Sequence, residues 1–248
     1  MPPEFSVSHS QRVPSALGTD ASASEHLDTQ RYMAGRIAHD LNNYLTAILG
    51  YGELLQSAVA SDPRASGFLA EMLQASGRAQ DFSRQLQAFS GRLIMDPERS
   101  DLNELLLDAE DDLMDIVGPD VELRIETDNR LPDVEVDLGH ATSMFRWLAQ
   151  DACAAMGGKG TLRIATHALT NSVDQPSWAL LTAEDTATPP AASDRLCYFE
   201  PFVRSDGMPK GIARTGVAGV VRQHGGRIEL QAPEAGGRCI RIRLPAAS

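Results

Sequence analysis

The sequence predicts a helical hairpin followed by an α+β layer, a mixed sheet with helices on one face. Apolar residues recur at alternating spacings of four and three over 37–55 and again over 68–93, which is typical of long paired helices. A segment with Pro and Gly, 61–67, separates the two runs. Beyond residue 100, strand-like and helix-like segments intersperse, which indicates a layered domain.

The apolar seam of the hairpin indicates a second copy of the chain. A single hairpin cannot cover both sides of such a seam, so we expect a homodimer whose two hairpins form a four-helix bundle. The alternative is that the seam packs on the C-terminal half of the same chain. Ile37 and Leu41 are predicted to point inward. The seam residues are Ile37, Leu41, Tyr44, Ile48, Tyr51, Leu55, Phe68, Met72, Ala75, Ala79, Phe82, Leu86, Phe89 and Leu93.

Composition divides the chain into three parts. Residues 1–29 are rich in Ser, Pro and Ala with little periodicity and predict a disordered tail. Residues 30–97 hold the hairpin, and 98–248 hold the α+β domain. Within that domain the patterns predict helices over 101–117, 138–156 and 213–224, and strands over 121–128, 134–137, 160–169, 177–185, 226–233 and 237–245.

Charge and cysteine content exclude several classes of function. Lys and Arg number 22 against 34 Asp and Glu, a formal net charge of −12, which argues against nucleic-acid binding. Apolar stretches fall short of the ~18 residues of a membrane span, and the N-terminus lacks a signal-peptide pattern. We therefore expect a cytoplasmic protein without a membrane partner. Cys153, Cys197 and Cys239 lack metal-ligand spacing and fit a reducing compartment.

Several blocks of the sequence resemble, in the right order, those of two-component sensor histidine kinases. They are AHDLNNYLTAILGYGELL (38–55), similar to the H-box, SRQLQAFSGR (83–92), similar to the second hairpin helix, DACAAMGGKGTLRI (151–164), similar to the N-box, LLTAEDTATPP (180–190), similar to the first glycine box, YFEPFVRSDG (198–207), similar to the F-box, and VAGVVRQHGGRIEL (217–230), similar to the region after the ATP lid. The resemblance covers about 31–245. It implies a dimeric hairpin followed by an α+β sandwich of the histidine-kinase ATPase type, with ATP and Mg²⁺ as cofactors and response-regulator receiver domains as partners.

The resemblance makes His39 the phosphoacceptor. His39 lies two residues past Ile37, about 200° around the helix, so it faces solvent, where an imidazole is largely neutral and nucleophilic at pH 7. Asp40 follows directly, and in the family this acid orients the ring or takes its proton. Asn43 shares the face of His39 and in the family positions water for dephosphorylation. Arg36, three residues earlier, can lend positive charge to a phosphoryl group.

The nucleotide-binding blocks depart from the family pattern. The resemblance implies that Asp151, in place of the usual Asn, binds Mg²⁺ and nucleotide, and that Asp185 binds the adenine amino group. Two glycines of the first glycine box are replaced by Ala187 and Pro189, and proline removes a backbone N–H. In the lid, Gly211 is the one glycine of the family run that is kept. Together these changes predict a degenerate ATP site.

The sequence therefore predicts a two-component phosphorelay protein. His39 would accept a phosphoryl group from one receiver aspartate and pass it to another, with a histidine kinase upstream and phosphatase activity added by Asn43. The alternative is an active cytosolic histidine kinase that phosphorylates its own His39 from ATP. A third reading is a non-catalytic adaptor that binds a kinase or regulator through the bundle.

Overall fold

Two long helices open the fold. The computed structural model describes residues 17–169, 178–195, 197–200 and 212–247. Helices α1 (Leu17–Val59) and α2 (Pro63–Ser90) form the predicted hairpin. The tail prediction is wrong for residues 17–29, which belong to α1, because no proline follows Pro14 in this stretch and its Ala, Glu and Leu residues favour helix. Residues 1–16 of the predicted tail lie outside the described residues.

The turn between the helices has the capping chemistry that its sequence indicates. The Asp62 carboxylate accepts the backbone N–H groups of Arg64 at 2.9 Å and Ala65 at 3.1 Å, so it satisfies donors left free at the start of α2. Pro63 occupies the first turn, where a missing N–H costs nothing. Gly91 ends α2 in the left-handed region at φ 72°.

Small residues join the two helices of the hairpin. Ala34 and Ala38 are buried against α2, and the Ser83 hydroxyl donates to the Ala38 carbonyl at 2.8 Å. Ile37 is 56% exposed within one chain, because the close approach of α1 to α2 selects small side chains. Its predicted inward position in a bundle of two chains stays a prediction. Leu41 is half-buried. Large exposed side chains form what we call the apolar hairpin face: Ile37, Tyr44, Ile48, Tyr51, Leu55, Phe68, Met72 and Phe82.

The C-terminal domain contains the predicted mixed sheet with helices on one face. Its five-stranded sheet has the order β2-β4-β5-β7-β6, with β2 and β4 parallel and the other neighbours antiparallel. A separate antiparallel ribbon joins β1 and β3. The strands are β1 Glu98–Ser100, β2 Val121–Glu126, β3 Val134–Val136, β4 Gly160–Leu169, β5 Trp178–Asp185, β6 Arg227–Gln231 and β7 Arg238–Pro245. The helices are α3 Leu102–Asp108, α4 Glu110–Val117, α5 Leu138–Met156, α6 Ala192–Arg195 and α7 Ala213–Gln223.

One predicted helix is divided in the structure. The prediction of a continuous helix over 101–117 is wrong at Ala109, which separates α3 from α4 and caps both. The Ala109 N–H bonds back to the Leu105 and Leu107 carbonyls, which ends the first helix within two turns. The start at Asp101 is as predicted, since its carboxylate accepts the Asn103 N–H at 2.7 Å.

The domain packs on the hairpin through α7. A side chain at Gly219 would overlap the Ala88 carbonyl of α2, so the two helices touch at their backbones there. The Gln223 amide donates to the same carbonyl at 3.4 Å. Ile212 joins Ala34, Ala38, Leu86 and Phe89 in one buried cluster between hairpin and domain. Among the described residues, none of the helices is sufficiently long and apolar to cross a lipid bilayer.

Candidate phosphoacceptor site and the predicted nucleotide pocket

His39 is exposed on α1, as the helical geometry predicts. Its side chain is 70% exposed, and Nδ1 lies 3.2 Å from Oδ1 of Asp40. This contact favours the tautomer in which Nδ1–H donates to the carboxylate, which leaves the Nε2 lone pair facing solvent. An accessible imidazole nitrogen on a ring held by an acid is equipped for nucleophilic attack.

An open cavity beside His39 carries two arginines on one wall. Tyr32 lies beside both, because its side chain raises the pKa of the Arg36 guanidinium and the Arg92 guanidinium stacks 4.8 Å from the Tyr32 ring centroid. Guanidinium groups bind phosphoryl oxygens in a bidentate geometry, so this wall suits a phosphoryl group on His39. The cavity is lined by Tyr32, Gly35, Arg36, His39, Asp40, Asn42, Gln87, Arg92, Leu93, Ile94 and His140.

The C-terminal domain contributes His140 to this cavity. His140 stands in the first turn of α5, where its backbone N–H and its Nδ1 both lie near Oδ1 of Asp137, at 2.9 and 3.0 Å. Burial lowers the pKa of His140 despite the neighbouring carboxylate, so its imidazole is neutral at pH 7. Asp137 also accepts the Asp96 N–H at 3.0 Å, which ties the segment after the hairpin to α5.

The amide predicted to assist His39 lies apart from the cavity. Asn43 is exposed on α1, but the asparagine that lines the cavity is its neighbour Asn42. Both positions are adjacent to His39 on a helix, and the cavity extends toward the side of residue 42. The water-positioning role of Asn43 therefore stays a prediction.

The two acids predicted to bind nucleotide are both buried and both bound to Arg238. Asp151 on α5 and Asp185 at the end of β5 are each 6% exposed, and Arg238 at the start of β7 is 3% exposed. Arg238 Nη2 donates to Asp185 Oδ2 at 2.6 Å and its Nε to Oδ1 at 3.0 Å, a bidentate pair. Its Nη1 donates to Asp151 Oδ2 at 3.2 Å.

Two further side chains complete what we call the Arg238 network, made of Asp151, Asp185, Tyr198, Arg214 and Arg238. The Tyr198 hydroxyl donates to Asp151 Oδ2 at 2.9 Å and also contacts Arg238 Nη1. Burial raises the pKa of Tyr198, which stays protonated. The Arg214 guanidinium lies 4.7 Å from the Tyr198 ring centroid. Two carboxylates and two guanidinium groups balance one another in charge, as buried ions must.

As arranged, these residues do not fit ATP and Mg²⁺. Both oxygens of Asp185 and Oδ2 of Asp151 already accept hydrogen bonds, and the Arg238 guanidinium lies between the two carboxylates. The described residues also contain no cluster of three or more His, Cys, Asp or Glu side chains that could hold a metal ion. Gly211, the retained lid glycine, lies outside the described residues.

Sequence reasoning missed Arg238, although a signal was present. Side chains alternate between the two faces of a strand, so Arg238 lies on the same face of β7 as the buried Ile240, Ile242 and Leu244. This pattern indicates a buried arginine, which needs an acidic partner. Its cross-strand partner in the β5–β7 register is Asp185. Gly237, at φ 81°, brings the chain so close to Asp185 that a Cβ would overlap the Asp185 carbonyl. Arg92 lies past the end of α2 and carried no periodic signal.

Comparison with known proteins places the chain beside sensor histidine kinases. It is 35% identical over 242 residues to the sensor kinase CckA of Brucella abortus (strain 2308), covering 93% of this chain and 26% of CckA. It is 20% identical over 234 residues to the sensor histidine kinase ZraS of Escherichia coli (strain K12), covering 92% of this chain and 48% of ZraS. The chain thus spans between a quarter and a half of the length of these relatives. No family model matches the chain.

Solved structures agree on the fold. Full-length ShkA in complex with AMPPNP superposes with a TM-score of 0.64 at 16% identity, covering 88% of this chain and 47% of ShkA. Histidine kinase ThkA in complex with the response regulator protein TrrA gives a TM-score of 0.54 at 19% identity, covering 93% of this chain and 66% of that one. The helical region followed by a mixed α/β sheet domain is the histidine-kinase fold.

Proposed function

We propose that this chain is a two-component signalling protein in which His39 carries a phosphoryl group between receiver aspartates. The observation that carries the proposal is the exposed His39 imidazole, in contact with Asp40 beside an arginine-lined cavity. Response-regulator receiver domains, a second copy of the chain and an upstream histidine kinase are the proposed partners. A cytoplasmic location suits the unpaired cysteines of the described residues.

The proposed transfer uses groups at the cavity. Asp40 accepts Nδ1–H and holds the ring, and Nε2 attacks the phosphorus of a receiver aspartyl phosphate. The P–N bond forms as the P–O bond to the aspartate breaks, and the electron pair leaves with the aspartate carboxylate. Arg36 and Arg92 offset the negative charge of the phosphoryl oxygens. The reverse sequence donates the group to a second receiver, and Asn43 is proposed to position water for hydrolysis.

A receiver rather than ATP is proposed as the source because the predicted nucleotide ligands are engaged by Arg238. Binding of a receiver is supported by the solved complex of ThkA, a histidine kinase of the same fold, with the response regulator protein TrrA. The apolar hairpin face supports the homodimer, since it exposes eight large apolar side chains along one hairpin.

A second candidate function is ATP-dependent phosphorylation of His39, as in an active sensor histidine kinase. The observation that favours it is the 35% identity to the sensor kinase CckA over 93% of this chain. In this case the C-terminal domain would bind Mg²⁺ and ATP after rearrangement of the Arg238 network. The two candidates share His39 and differ in the phosphoryl donor.

Label transfer from phosphorylated receivers tests the proposed function. We expect radiolabelled phosphate to pass to the wild-type chain from at least one of a panel of receiver domains, and His39→Gln to abolish the transfer because it removes the exposed imidazole that carries the group. His167→Gln, on β4 of the sheet, is the matched control and should transfer normally. Labelled ATP with Mg²⁺ forms a parallel reaction.

The outcomes separate the candidates. Label that reaches His39 from receivers supports the phosphorelay proposal. Label that reaches His39 from ATP and from no receiver replaces it with the kinase candidate. If the chain stays unlabelled with phosphorylated receivers and with ATP, both candidate functions are wrong.

Asp40→Asn should slow the transfer by about 10²- to 10⁴-fold, because the amide lacks the charge that holds Nδ1–H and stabilises the ring as it becomes positive. Single-turnover transfer rates measure this effect. Glu53→Gln, an exposed acid further along α1, is the control and should keep the wild-type rate. A rate for Asp40→Asn equal to that of the control would remove Asp40 from the mechanism.

A further inference from the structure

Arg238 engages both oxygens of Asp185. Oδ1 accepts from Arg238 Nε at 3.0 Å and from the Ala187 backbone N–H at 2.9 Å, while Oδ2 accepts from Arg238 Nη2 at 2.6 Å. The bidentate guanidinium occupies the side of the carboxylate on which an incoming N–H donor would pair with both oxygens. Such a donor would first have to remove the guanidinium.

Arg238 engages Asp151 with the rest of its donors. Nη1 reaches Asp151 Oδ2 at 3.2 Å and contacts the Tyr198 oxygen, and Nη2 reaches the Asp151 carbonyl at 3.5 Å. The three guanidinium nitrogens therefore all have partners. A positive charge therefore lies between the two carboxylates to which the family resemblance assigns adenine and Mg²⁺.

We infer that Arg238 is the residue that excludes adenine nucleotides and Mg²⁺ from this domain, acting as a tethered internal cation. The inference rests on the proposed function, in which His39 is supplied by a receiver. An adenine amino group carries no positive charge, so its hydrogen bond to Asp185 would lack the attraction between two opposite charges that the Arg238 guanidinium supplies. Its entry would also leave a buried guanidinium without its carboxylates, which is strongly unfavourable.

Substitution of Arg238 distinguishes exclusion by this residue from exclusion by the altered glycine boxes. The probes are Mg·ATP and ADP, titrated calorimetrically into the full chain. Wild type should show no binding up to ~1 mM, and Arg238→Ser should bind at least about tenfold more tightly than that limit. Arg243→Ser, on the same strand but at the surface, should behave as wild type. Circular dichroism checks folding, and Arg238→Gln replaces the serine variant if the latter fails to fold.

Two results overturn the inference. Binding of Mg·ATP by the wild-type chain with a Kd well under 1 mM shows that Arg238 does not exclude nucleotide. Folded Arg238 variants that bind no better than wild type place the exclusion elsewhere, at Pro189 or the lid. Neither result bears on whether phosphorylated receivers label His39, so failure here and failure of the proposed function are distinguishable.

Discussion

Replacing Arg238 with methionine should lower the free energy of unfolding by about 3–5 kcal/mol at pH 7, because it leaves Asp151 and Asp185 buried without their cation. Methionine keeps the length of the side chain, so the loss is mainly electrostatic. Urea denaturation followed by far-UV circular dichroism measures the effect. The variant is expected to unfold at lower urea with an unchanged m-value.

The dependence on pH and a surface control test the cause. Without Arg238, the buried carboxylates of Asp151 and Asp185 favour the protonated, uncharged form. The folded variant therefore binds more protons than the unfolded chain. The stability of the variant relative to wild type should then rise as the pH is lowered from 7 to about 5. Arg243→Met breaks the exposed pair with Glu229, at 2.9 Å, and should cost at most about 1 kcal/mol. Equal effects of the two substitutions would contradict a buried, charge-balanced network.

Local patterns predicted the elements of the domain well. The helix predicted over 138–156 has the bounds of α5, and Asp137 and Gly157 cap this helix in the structure. The period of two in the final strands predicted β6 and β7. These signals lie within a few residues of the helix or strand they define, so they can be recognised in the sequence without the tertiary structure.

Features that depend on tertiary contacts were not predicted. His39 and Asp40 are neighbours in sequence, and the family resemblance implied the contact that their side chains make. Asp185 and Arg238 meet because of the register in which β5 pairs with β7. That register cannot be predicted from the local sequence of either strand. The spacing of the apolar residues predicted the two helices of the hairpin. It did not predict that the small residues of α1, rather than the large ones, pack against α2. The large residues remain exposed as the apolar hairpin face.

Gly219→Ala should release the C-terminal domain from the hairpin. The added methyl group would overlap the Ala88 carbonyl and approach the Phe89 nitrogen at 2.8 Å, and both are backbone atoms that cannot turn aside. Overpacking of this kind costs about 1–3 kcal/mol, so α7 and α2 must separate. Faster cleavage of the segment 91–97 in limited proteolysis would report the separation, because this segment joins α2 to the C-terminal domain.

A glycine in open surroundings provides the control. At Gly77 in α2 a Cβ would meet nothing within 4 Å, so Gly77→Ala should leave proteolysis unchanged and raise helix stability by up to about 1 kcal/mol. If Gly219→Ala were cleaved no faster than this control, the tight backbone contact would not hold the domain in place. His140 reaches the cavity beside His39 from the docked domain. The rate of label transfer to His39 in the Gly219→Ala variant therefore tests whether the domain side of this cavity contributes to the transfer. If the domain is released and label still reaches His39 at the wild-type rate, the residues of the hairpin are sufficient for the transfer.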